Sequence, residues 1–160
     1  MAISAALLLA ACSSKPADTG GGTTGGTTGG STTTTSMPQG AQPGSPDDFK
    51  TNVGDRVFFG TDRSDLTQEA QAELQKQATW LKTYPQYRFV VEGHCDERGT
   101  REYNLALGER RAAAVKNYLV ALGIDANRMQ TISYGKERPA VLGDDEAAWA
   151  QNRRGVIVLQ

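Results

Sequence analysis

The sequence predicts an α+β fold, a βαβαβαβ two-layer sandwich that follows a disordered N-terminal tether. Two observations support this fold class. Residues 12–46 consist mostly of Gly, Thr, Ser, Pro and Ala, and such a composition buries too little apolar surface to offset its chain entropy. Residues 47–160 hold every Trp, Tyr and Phe, and short β-rich segments alternate there with segments of helical period. This length fits one domain.

Residues 1–11 are predicted to form a secretory signal peptide. The apolar run Ala2–Ala11 is too short to span a bilayer as a helix, and it fits the hydrophobic region of such a signal. It ends in Leu9-Ala10-Ala11-Cys12, which resembles a bacterial lipobox, although no Lys or Arg precedes the run. The resemblance implies cleavage before Cys12 and acylation of its thiol. Ser13, where retention in the inner membrane would favour Asp, implies sorting to the outer membrane.

The first half of the domain is predicted to be strand, helix, strand. Arg56–Phe59 contains β-forming residues between two glycines, which is typical of a short strand. Thr67 is a favourable N-cap for a helix with Leu and Ala at helical spacing, and this helix ends before Pro85. Tyr87–Gly93 is predicted to be a central strand, because its apolar residues are closely spaced.

The second half is predicted to continue with a long helix, a strand, a short helix and a last strand. The long helix covers Glu102–Leu122, and Gly123 is a favourable residue to end it. Met129–Tyr134 and Val156–Leu159 are the strands, and Asp144–Asn152 is the short helix. The apolar face of the long helix is predicted to contain Tyr103, Leu107, Ala114, Tyr118 and Leu122.

Composition argues against several classes of function. A net charge of −1 does not favour bulk attraction to nucleic acid. The chain has two cysteines and one histidine, whereas zinc sites usually need three or four suitable ligands, so no metal or cofactor is expected. His94 is the only ready base at neutral pH, and no Gly-x-Ser-x-Gly elbow is present. We therefore interpret Cys95 as a small buried residue and His94 as hydrogen-bonded within the sheet.

The segment from Glu92 to Asn104 is the candidate site. It leaves the end of the predicted central strand and enters a helix, a position that favours ligand binding in sheets with helices. Its motif resembles the OmpA-like peptidoglycan-binding domain family. The residues that match that family in order and spacing are Gly93, His94, Cys95, Asp96, Gly99, Asn104, Leu107, Arg111 and Ala112. The run Gly93–Thr100, together with Tyr134–Pro139 and Gln151–Arg154, is similar to the lipoprotein branch of the family.

The resemblance implies that Asp96 and Arg111 bind the diaminopimelate of the peptide stem. Its zwitterionic end needs an acceptor beside a donor, so Asp96 would accept from the ammonium and Arg111 would hold the carboxylate with its planar fork. Asn104 and Arg111 are two helical turns apart, with Leu107 between them on the same face. The resemblance also implicates, as contacts at the rim, Asp62, Ser64, Arg98, Thr100 and Asn104.

These features predict an outer-membrane lipoprotein that grips peptidoglycan non-covalently, without catalysis. The resemblance further implies a place in the Tol envelope system and binding to the periplasmic protein TolB. A cell-wall hydrolase that uses the same pocket is the alternative, and a protein-binding adaptor without affinity for the wall is a weaker one. Replacing Asp96 or Arg111 is expected to lower affinity without unfolding the domain. Tyr103, Tyr118 and Trp149 are interpreted as core residues rather than a sugar platform.

Overall fold

The computed structural model describes residues 41–160. The predicted signal peptide, the lipidation site Cys12 and the tether up to residue 40 lie outside the described residues. Within residues 41–160, no helix is both long enough and apolar enough to cross a membrane.

Two short helical turns open the described chain. Helix α1 spans Pro46–Asp48, and a π-helical turn follows at Phe49–Val53. The side chain of Ser45 caps α1. The phenylalanine that begins the second turn is fully buried, with its ring centroid 4.9 Å from that of Trp80. The carbonyl of Gly44 also accepts a hydrogen bond from the hydroxyl of Tyr87 at 2.8 Å, so contacts with the domain begin within the last residues that the sequence assigned to the tether.

Four strands form one sheet in the order β1-β4-β2-β3. They are β1 (Arg56–Phe58), β2 (Phe89–His94), β3 (Met129–Gly135, after a 3-10 turn at Ala126–Arg128) and β4 (Arg154–Leu159). Strand β2 is parallel to β3 and antiparallel to β4, and β4 is antiparallel to β1. The central position predicted for the second strand is confirmed.

The three longer helices agree with the predicted ones to within two residues at each end. They are α2 (Gln68–Thr83), α3 (Arg101–Ala121) and α4 (Glu146–Asn152). Thr67 caps α2 as predicted, and Gly123 follows α3 with a φ of 92°, a conformation that favours glycine.

The core lies between the sheet and helices α2 and α3. Alternate residues of the strands point into it, and the π-helical turn closes one end. Its largest fully buried apolar side chains are Phe49, Leu74, Leu81, Phe89, Val91, Val115 and Leu119. The two-layer α+β class is confirmed.

The buried face of α3 differs from the predicted one. It consists of Asn104, Leu107, Gly108, Arg111, Ala112, Val115 and Leu119. Tyr103 is 45% exposed, so its interpretation as a core residue is wrong. The apolar pattern misplaced the face because two polar residues and a glycine occupy buried positions. A Cβ at Gly93 would lie 1.8 Å from the carbonyl oxygen of Gly108, so α3 crosses β2 in near-backbone contact.

Candidate functional site

A cavity of about 270 Å³ lies where β2 ends and the chain turns into α3. The residues that line it are Thr61, Asp62, Cys95, Asp96, Arg98, Gly99, Tyr103, Asn104, Leu107 and Arg111. The cavity thus brings together the two principal predicted residues and most of the others. Two predicted residues, Ser64 and Thr100, do not line it.

Asp96 is the buried anion of this cavity, with 7% of the residue exposed. Its Oδ1 accepts hydrogen bonds from the backbone N–H of Arg98 at 3.2 Å and from Nε of the same residue at 3.3 Å. Its Oδ2 accepts from Nη2 of Arg98 at 2.6 Å and from Nη1 of Arg153 at 3.4 Å. Burial opposes ionisation, but the Arg98 and Arg153 hydrogen bonds outweigh it and hold the pKa of Asp96 below its usual value.

The two arginines that bond to Asp96, Arg98 and Arg153, differ in solvent exposure and in their other contacts. The side chain of Arg153 is 7% exposed, and its Nε also donates to the carbonyl of Phe59 at 3.1 Å. The side chain of Arg98 is 38% exposed, and its guanidinium carbon lies 4.1 Å from the ring centroid of Trp149. Trp149 is only half-buried, so it supports Arg98 rather than filling the core. Arg153 is therefore a fixed counterion of Asp96, and Arg98 is a movable one.

Arg111 is fully buried and already holds three backbone carbonyls. Its Nε donates to Arg63 at 2.8 Å, Nη1 donates to His94 at 2.8 Å, and Nη2 donates to Gly60 at 3.0 Å. A guanidinium has five N–H donors, so at most two of them are available to a ligand. Burial lowers the pKa of Arg111. Most of that fork fastens the β1–α2 loop to the end of β2, and the hold on a ligand carboxylate stays a prediction that depends on the two remaining donors.

Thr100 and Asn104 shape the loop at the start of α3. The Thr100 side chain caps the helix by accepting from the backbone N–H of Tyr103 at 3.2 Å. Asn104 is 2% exposed, and its Nδ2 donates to the carbonyls of Arg98 at 2.7 Å and Thr100 at 3.0 Å. Both side chains fix the backbone between Asp96 and the helix, and Asn104 also lines the cavity, so their role as ligand contacts stays a prediction.

Asp62 reaches the cavity from the β1–α2 loop, in a left-handed conformation with a φ of 55°. Its Oδ1 accepts a hydrogen bond from the hydroxyl of Tyr103, and this bond raises the pKa of Tyr103. The sequence argument missed Tyr103 and Thr61 as lining residues. The position of Tyr103 in the first turn of α3, next to Asn104, was the available signal.

His94 and Cys95 are buried beside the cavity, as predicted. The His94 ring is 2% exposed, stacks on Tyr134 with centroids 5.6 Å apart, and has Nε2 3.4 Å from Glu92. Burial, then the charge of Arg154, lowers the pKa of His94 to about 4. Cys95 donates from Sγ to the carbonyl of Asn104 at 3.3 Å. Within residues 41–160, no three His, Cys, Asp or Glu side chains form a group suited to a metal ion.

Comparison with known sequences places the chain among envelope proteins. It matches the OmpA family over residues 58–153. It is 60% identical over 119 residues to the peptidoglycan-associated lipoprotein of Rhizobium meliloti, which covers 74% of this chain and 68% of that protein. The protein of the same name from Brucella melitensis is 59% identical over 119 residues, covering 74% of this chain and 71% of that protein.

Solved structures share the fold. The crystal structure of the peptidoglycan-associated lipoprotein from Burkholderia pseudomallei aligns with a TM-score of 0.64 and 48% identity, over 66% of this chain and 90% of that one. The C-terminal domain of Helicobacter pylori MotB aligns with a TM-score of 0.62 over 66% of this chain and 84% of that one, and at 21% identity it shows the fold alone. The chain therefore belongs to the OmpA family, in its branch of peptidoglycan-associated lipoproteins.

Proposed function

We propose that this protein is a lipoprotein, anchored in the outer membrane through acyl chains on Cys12, whose periplasmic domain binds peptidoglycan non-covalently. It would tether the membrane to the cell wall through the diaminopimelate of the peptide stem, as part of the Tol–Pal system in envelope integrity and cell division. The observation that carries this proposal is one cavity, at the end of the central strand, lined by the ionised Asp96 and the buried cation Arg111.

The charges in the cavity fit the zwitterionic end of diaminopimelate. Asp96 is the acceptor for its ammonium, and this group takes the place that Arg98 occupies in the free protein. The carboxylate lies within the field of Arg111 and near the first turn of α3, a 21-residue helix whose positive end favours anions. Arg153 keeps Asp96 ionised throughout the exchange.

Binding to TolB is the second part of the proposal. The family resemblance supports it, and the same face, from Asp96 to Arg111, is where we expect TolB and peptidoglycan to compete. A competition experiment tests this: soluble TolB should release the protein from washed sacculi in proportion to its concentration. Simultaneous binding of both partners would contradict a shared face.

Sedimentation with washed sacculi tests the wall-binding function. The full chain should be retained in the pellet without release of soluble fragments, and Asp96→Asn should reduce retention at least about tenfold, because an amide no longer attracts the ammonium. Arg101→Gln is the matched control, since Arg101 forms an exposed pair with Glu137 and does not line the cavity. Equal retention of wild type and Asp96→Asn would reject the site. Release of fragments would favour the hydrolase.

Mass spectrometry of the envelope-extracted protein tests whether Cys12 is the acylated terminus.

A further inference from the structure

Lys136 holds the loop that carries the candidate site. It follows β3 directly, in a sequence motif that has no part in the ligand contacts described above. Its Nζ donates to the carbonyl of Glu97 at 3.0 Å and to the carbonyl of Gly99 at 2.7 Å. One ammonium group at the end of a neighbouring strand thus bonds to the carbonyls of the two residues that flank Arg98.

Lys136 and Asn104 both donate hydrogen bonds to the backbone carbonyls of this loop. Asn104 takes those of Arg98 and Thr100, and Lys136 takes those of Glu97 and Gly99. Four successive carbonyl groups are therefore held, alternately, by two side chains from different elements. Gly99 has a φ of 87°, a conformation that glycine adopts readily, so the turn of this loop relies on Gly99 as well as on the two side chains.

Lys136 does not reach the ligand cavity. It lines a second, smaller cavity of about 170 Å³, together with Glu97 and the exposed loop around Leu142. It is absent from the residues that line the cavity containing Asp96 and Arg111. We therefore expect the effect of Lys136 on ligand binding to act through the loop.

We propose that Lys136 is a positioning residue for ligand binding, which holds residues 97–99 in the shape that aligns Asp96 and the start of α3. This inference rests on the proposed function of the cavity. The hydrogen bonds from an ammonium to carbonyls are charge-assisted and are roughly twice as strong as neutral ones. They fix the loop before the ligand arrives, so that binding does not incur the entropy cost of ordering it.

The test compares three variants of the full chain, purified in detergent, with a soluble muropeptide that bears a free diaminopimelate as the probe. Lys136→Met removes the donors but keeps the length of the side chain, and Lys136→Arg restores donors. Lys116→Met is the matched control, because Nζ of Lys116 also donates to a carbonyl, that of Met129 at 3.4 Å, which lies at the opposite end of β3 from Lys136. Titration calorimetry measures affinity, and amide hydrogen exchange measures the opening of residues 97–101 in the free protein.

We expect Lys136→Met to weaken binding about tenfold and to accelerate exchange in residues 97–101, with the core amides unchanged. Lys136→Arg should recover most of the affinity, and Lys116→Met should match the wild type. Wild-type affinity and wild-type loop exchange in Lys136→Met would overturn the inference. A wild-type protein that does not bind the muropeptide would instead reject the proposed function, and the exchange comparison would still decide whether Lys136 holds the loop.

Discussion

At the scale of single residues, the carboxylate of Asp96 is shared by two guanidinium groups of unequal freedom. Arg153 is buried and also bonded to the Phe59 carbonyl, whereas Arg98 is partly exposed and lies over Trp149. A ligand ammonium that binds Asp96 must displace one of them. We expect Arg98 to leave, because its side chain is 38% exposed and can be rehydrated in solvent, whereas that of Arg153 is 7% exposed.

Removal of Arg98 separates two roles for this residue. If it is an internal competitor, Arg98→Gln should tighten binding of a diaminopimelate muropeptide severalfold, because the ligand ammonium no longer has to displace a guanidinium from Asp96. Calorimetry at neutral pH measures the change, with Arg101→Gln as the control. Weaker binding in Arg98→Gln would show that the side chain contacts the ligand, the role that family resemblance implies.

Sequence reasoning found Asp96 because a single motif, at the end of a strand, places it. It marked the segments that contain Lys136 and Arg153 as similar to the family, but it could not predict their contacts with this loop, which lies 39 and 57 residues away along the chain. Hydrophobic periodicity also assigned Tyr103 to the core, because it does not anticipate a buried Asn104 on the same helix. The local sequence motif predicted the position of the cavity. The hydrogen bonds that each residue makes there depend on tertiary contacts, which the motif does not contain.

At the scale of elements, Arg111 joins three parts of the fold. From α3 it donates to the β1–α2 loop at Gly60 and Arg63 and to the last residue of β2, His94. The sequence correctly predicted that α3 carries this residue on the same face as Leu107. It could not predict the acceptors, because every residue has a backbone carbonyl and the sequence does not indicate which of them face Arg111. The loop that carries Asp62 is thereby fixed beside the cavity.

Replacing Arg111 with Met should therefore destabilise the domain as well as abolish binding, contrary to the expectation from sequence. Three carbonyls lose their donor, that of His94 in a buried contact and those of Gly60 and Arg63 in part-buried ones, which we expect to lower the free energy of unfolding by about 2–4 kcal/mol. Urea denaturation measures this change, and Arg110→Met, at the exposed neighbouring position, is the control. A stable Arg111→Met variant that fails to bind would mean that the carbonyl contacts contribute little to the fold.

At the scale of the whole molecule, the buried His94 makes stability depend on pH. Its ring faces the charges of Arg154, Arg138 and Arg56, and burial together with these cations lowers its pKa to about 4. The unfolded chain has an ordinary histidine with a pKa of about 6.5. Between these two values the unfolded state binds more protons than the folded state, so stability falls as the pH drops from about 6.5 to about 4.

The loss across that window should be about 3 kcal/mol, the free energy that corresponds to lowering the pKa of His94 from about 6.5 to about 4. Urea denaturation at pH 7.0, 5.5 and 4.5 measures it. His94 is the only histidine in the chain, so a His94→Asn variant should lose most of the slope above pH 4.5, whatever its stability at pH 7. Asp96 acts in a lower range, since its depressed pKa keeps its contribution until the pH falls below about 4. If the free energy of unfolding of His94→Asn depends on pH as steeply as that of the wild type, the pH dependence belongs to carboxylates. The burial of His94 would then not affect stability in this pH range.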